Sequence, residues 1–72
     1  MNEKDREAVV VRRANALVNT SVDDARSSLY HESDLDVLRA ALIESLSRGE
    51  KTRPKHISSR IRALVKARRF QR

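Results

Sequence analysis

Residues 52–72 read TRPKHISSRIRALVKARRFQR, and the rest of the chain is best arranged around the way this stretch combines periodicity with charge. Ile57, Ile61, Leu64 and Val65 recur at i, i+4, i+7 and i+8, the spacing that lines apolar side chains along one stripe of an α-helix. Arg60, Arg62, Lys66 and Arg69 fall outside that stripe and spread over the remaining circumference at about 100° per residue. The pattern predicts a basic carboxyl-terminal helix over about 53–70, docked by one side and free to meet an anionic partner with the other.

The charge is segregated. From Lys51 to the end there are 9 basic and no acidic residues, whereas the first fifty residues hold the other 7 bases and all 10 acids. A net +9 therefore follows a net −3. Seventy-two residues allow one domain, 1–72, with a small core for which self-association is a natural remedy. The absence of Cys excludes a disulfide framework and thiolate metal sites. No apolar run approaches the roughly 18 residues of a membrane span, and the amino end is polar and mixed in charge, unlike a signal peptide. These features lead us to expect a soluble cytoplasmic protein with no membrane partner.

One Gly and one Pro among many Ala, Leu, Arg and Glu favour helix throughout, because unbranched side chains lose little rotamer freedom there. Asn2 is placed to cap a first helix whose opening turn carries Glu3, Asp5 and Glu7, with Val10, Ala14, Leu17 and Val18 forming its face. Asn19-Thr20-Ser21 ends it. Ser21 followed by Asp24 opens a short second helix with Val22, Ala25 and Leu29 on one side, and Tyr30-His31-Glu32 follows as a connector. Ser33 with Asp36 repeats the capping pattern before a third helix. There Leu35, Leu38, Leu42 and Leu46 make a leucine stripe, widened by Ile43, while Val37, Ala40 and Ala41 keep the opposite side small. Gly49 suits a left-handed helix end, and Pro54 directs Arg53 away from helix, so the turn is placed at Gly49 to Arg53.

The expected fold is all-α, a small bundle of three or four short helices. Its carboxyl-terminal pair is a hairpin or a wider-angled, helix-turn-helix-like unit. Leu35, Leu38, Leu42, Leu46, Ile57, Ile61 and Leu64 form the core or a homodimer seam.

Catalysis finds no support in the residues. His31, Glu32 and Asp34 lie in a connector with no second His at ligand spacing, so no metal is expected. His56 sits among cations and is read as a hydrogen-bonding group. Gly49-Glu50-Lys51-Thr52 echoes the end of a phosphate-binding loop but lacks the earlier Gly, the Gly before Lys and the preceding strand. The serines have no His and carboxylate pattern to activate them. Asn19-Thr20-Ser21 matches a glycosylation sequon in a chain that shows no secretory signal. The expectation is a protein that is not an enzyme and uses no cofactor.

The basic segment is the remaining functional signal. Cations that neutralise phosphates release condensed counterions, and Arg, which outnumbers Lys 6 to 3 from Lys51 onward, offers a planar fork matched to phosphate and guanine edges. Arg53, Lys55, Ser58, Ser59, Arg62, Lys66 and Arg69 are the candidate nucleic-acid contacts. Tyr30 and Phe70 are the only aromatics, too few for the stacking platforms of single-strand readers, so duplex DNA is favoured. Two other readings compete. The cations can pair with Asp23, Asp24, Asp34, Asp36 or Glu44 of the chain or a twin, or a helical face can bind another protein as an adaptor or inhibitor.

Overall fold

The structure, a computed structural model, describes residues 2–69. It contains four helices, α1 Glu3–Asn19, α2 Val22–His31, α3 Leu35–Ser47 and α4 Thr52–Arg69, and no strand among the described residues. Phe70 and Arg72, counted above among the aromatics and cations, lie outside them. No described helix is long and apolar enough to cross a membrane.

Local chemistry sets most helix ends. The Asn2 side chain accepts the Asp5 amide at 2.9 Å and starts α1; Ser21 accepts the Asp24 amide and starts α2. Each satisfies one amide that the first turn leaves without a helical partner. Gly49 closes α3 at φ +78, a left-handed conformation that a Cβ disfavours. Its amide reaches the Leu46 carbonyl at 3.0 Å and the Glu50 amide reaches Ser45 at 3.1 Å, which satisfies carbonyls at the helix end.

Two boundaries differ from expectation. Helix α2 runs on through Tyr30 and His31, and Glu32 is its cap. The cap of α3 is Asp34, not Ser33: Asp34 accepts the Asp36 amide at 3.0 Å. Glu32 explains both. Its buried carboxylate accepts Arg13 Nη2 at 2.6 Å and the amides of Ser33 and Asp34 at 3.1 and 3.3 Å. Folding the connector onto Glu32 directs the Ser33 amide inward and leaves Asp34 at the helix mouth.

A third correction concerns Arg53. It is helical, in the first turn of α4, with Pro54 behind it. The amide that Pro54 lacks is one of the four that a helix start leaves free anyway, so proline is tolerated in this turn. The turn itself is residues 48–51.

Helix α1 packs on α3 and α2, and α4 packs on α3 and α2, around one core. Ala14, Leu17, Val18, Leu29, Val37, Leu38, Ala41 and Ile57 are buried in it, with Val10, Leu35, Leu42, Ile61 and Leu64 partly buried against it. Val37 and Ala41, from the small side of α3, are fully enclosed, as is Ser45, whose hydroxyl donates to the Leu42 carbonyl at 3.0 Å. The leucine stripe is divided. Leu38 is in the core, Leu35 and Leu42 flank it, and Leu46 is 58% exposed beside Ile43 at 70%.

Helices α3 and α4 pack against each other. Arg68, in the last turn of α4, lines a shallow cleft with Leu35 and Arg39 at the start of α3, so the helices meet again far from their turn. At 1.5 Å per residue α3 is about 20 Å long and α4 about 27 Å, which leaves the end of α4 with fewer inward partners than its start.

Candidate nucleic-acid interface

Helix α4 sorts its side chains by azimuth. Arg53, Pro54 and Ile57 are buried, and Ile61 and Leu64 continue that side as partly buried residues. Opposite it, Lys55, Ser59, Arg62, Lys66 and Arg69 are exposed, and at 100° per residue they fall within an arc of about 80°. Ser58 borders the arc and is half-buried. Six of the seven expected contacts thus belong to one flank.

Arg53 does not. It is only 6% exposed, and its guanidinium donates to the Val18 and Thr20 carbonyls and to Glu50 at 2.9 Å. Arg48 adds bonds to the Val18 carbonyl at 3.1 Å and to Asn19 Oδ1 at 3.0 Å. Two arginines bracketing the α3–α4 turn therefore cap the carboxyl end of α1, where free carbonyls and the negative end of the helix dipole favour cations. The last turn of α1 has no basic residue of its own. Arg53 is a structural cation and leaves the set of candidate contacts.

Carboxylates are engaged mostly by arginines of the first fifty residues. Arg6 binds Asp34 at 2.5 Å and Asp36 at 3.5 Å, Arg13 binds Glu32, and Arg48 binds Glu44 at 3.2 Å. Arg53 alone in α4, among the described residues, takes one, Glu50. Among the described residues Lys55, Arg62, Lys66 and Arg69 pair with no carboxylate. Internal neutralisation, a competing reading of the sequence, occurs, but away from this flank. Asp34 shows how tightly its own partner holds it. Burial alone pushes its carboxyl pKa up, yet the hydrogen bond and charge of Arg6, with the Asp36 amide, outweigh that and hold it below the ordinary carboxylate value. Arg6 is correspondingly raised, chiefly by its hydrogen bond to Asp34.

The flank is not uniformly polar. Ile61 and Val65 form the floor of a shallow concavity walled by Arg62, Lys66 and Arg69. Sequence periodicity assigned both to the buried stripe, but Ile61 and Val65 lie at its margin and remain partly open. On the other side of α4, Arg60 leans toward α2, and its Nε donates to the Glu32 carbonyl at 3.0 Å. Periodicity places Arg60 off the apolar stripe but gives no sign of this partner, which depends on how α2 and α4 pack. Comparison with protein-family models, curated proteins and solved structures gives no match, so the functional reading rests on this geometry.

Proposed function

We propose that the protein is a non-enzymatic, cytoplasmic DNA-binding regulator that contacts duplex phosphates along the outer flank of α4. The observation that carries this reading is the arc of Lys55, Ser59, Arg62, Lys66 and Arg69, turned away from the core and paired with no carboxylate among the described residues. Lys55 to Arg69 spans about 21 Å, roughly six base steps of one strand at 3.4 Å each. Four cations on four phosphates give a slope of log affinity against log salt of about −3.6.

The helix order and four-residue turn are compatible with a helix-turn-helix. Lengthwise contact with phosphates is favoured over insertion of the start of α4, where Arg53, Pro54 and Ile57 are buried. Tyr30 is the one aromatic among the described residues, which favours duplex over single strand. Gel-shift titration of unrelated duplexes at rising salt tests the proposal. Arg62→Ala and Lys66→Ala should each flatten the slope by about one unit, and no duplex binding at 50 mM salt overturns it.

One observation favours a second reading. The Ile61–Val65 concavity, together with exposed Ile43 and Leu46 on α3, offers apolar surface for a protein partner or for a homodimer. Under that reading the protein is an adaptor or inhibitor. Val65→Asp then abolishes a stoichiometric complex recovered after nuclease treatment, and sedimentation of the isolated protein gives twice the chain mass if the partner is a second copy.

A further inference from the structure

We propose that the cleft between α2 and α4 is a binding site for a phosphate group. The cleft has a volume of about 120 Å³ and is lined by Arg26 and Tyr30 from α2 and by His56, Ser59 and Arg60 from α4. Leu29 and Ala63 complete its apolar wall, and no acidic side chain lines it. Two guanidinium groups are therefore brought to one concavity with no counter-charge in its lining.

The arrangement follows from helix geometry. Arg26 and Tyr30 are one turn apart on α2, and His56, Ser59 and Arg60 stand at i, i+3 and i+4 on α4, so each set occupies one face of its helix. Packing of α2 against α4 turns the two faces toward each other. The Arg60 guanidinium is anchored at its base, because Nε donates to the Glu32 carbonyl at 3.0 Å. Its two terminal nitrogens have no protein acceptor among the described residues, and neither has Arg26. An anchored guanidinium loses less freedom on binding an anion than a free one, and its fork suits two phosphate oxygens. The Tyr30 and Ser59 hydroxyls and a His56 ring nitrogen add donors.

Donors arriving from two helices suit a tetrahedral oxyanion, whose oxygens point in several directions. A carboxylate presents two oxygens in one plane and leaves part of the donor set without an acceptor. Ser59 also belongs to the cationic arc of α4, so the cleft lies at one margin of that flank. A phosphate in it is either a group of a nucleic-acid backbone or a free phosphate, and the site stands whether or not duplex DNA binds the arc.

The test is a titration of the full chain with inorganic phosphate, followed by backbone and side-chain NMR at constant ionic strength, with chloride and acetate as control anions. The expected result is a saturable shift confined to Arg26, Tyr30, His56, Ser59 and Arg60, absent with chloride and weaker with acetate. Arg26→Gln, a change at an exposed position, should raise the half-saturating phosphate concentration by about tenfold. Arg60→Gln should do so as well and also release the Glu32 carbonyl. A second arm measures the salt slope of duplex binding by Arg26→Gln. A fall of about one unit identifies a backbone phosphate as the occupant; an unchanged slope with impaired phosphate titration identifies free phosphate. Shifts that do not saturate, acetate matching phosphate, or an Arg26→Gln titration identical to wild type overturn the proposal. Failure of duplex binding alone bears on the α4 arc and not on this cleft.

Discussion

Two arginines of the same helix have different roles in this protein, and burial separates them. Arg53 satisfies carbonyls at the end of α1 from inside the fold, whereas Arg62 is exposed and carries no ion pair among the described residues. Removing this buried charged donor leaves the Thr20 carbonyl without its side-chain partner and the Val18 carbonyl with Arg48 alone, so Arg53→Ala should lower stability by about 3 kcal/mol in urea unfolding. Arg62→Ala should stay within about 0.5 kcal/mol; equal losses would contradict the assignment. Asp34 gives a pH test. Its folded pKa is depressed, so its contribution to stability is fully present above the unfolded carboxylate value of about 3.9. That contribution is lost as pH falls through the folded value. Asp34→Asn keeps a capping oxygen and removes the charge, and should flatten the stability profile below about pH 4 while costing under about 1 kcal/mol near neutrality. An unchanged acid limb would show that Arg6 does not hold the carboxylate.

Elements were legible where their determinants are local. Asn2, Ser21 and Gly49 act on backbone groups within four residues, and the apolar periodicity of α1 and α3 marks Ala14, Leu17, Val18 and Leu38 for the core. Non-local determinants were hidden. The cap of α3 depends on Glu32 being drawn inward by Arg13, nineteen positions earlier, and the role of Arg53 depends on where α1 ends in space. The same limit applies to the leucine stripe, whose spacing is regular although its burial is not. Leu38→Ala should cost about 3–4 kcal/mol and Leu46→Ala under about 0.5 kcal/mol in the monomer, read from urea midpoints. Similar costs at both positions would mean that the stripe is buried as a unit, as in a seam between copies.

At the scale of the molecule, a domain of this length has about 4–11 kcal/mol of stability, so losing Arg53 or Leu38 alone removes a large part of it. Its charge is arranged accordingly. Glu32, Asp34, Asp36, Glu44 and Glu50 are matched to arginines, with Arg6 and Arg13 tying α1 to the connector before α3, while among the described residues the outer cations of α4 have no such partners. The sequence displayed the imbalance but not which cations it leaves available, because that depends on which carboxylates the fold brings within reach. The most direct test replaces Lys55, Arg62, Lys66 and Arg69 together by Gln and measures duplex affinity by fluorescence anisotropy across a salt series. The account predicts a folded protein with unchanged helix content whose salt slope collapses from about −3.6 toward zero. A folded variant that keeps the wild-type slope would contradict it.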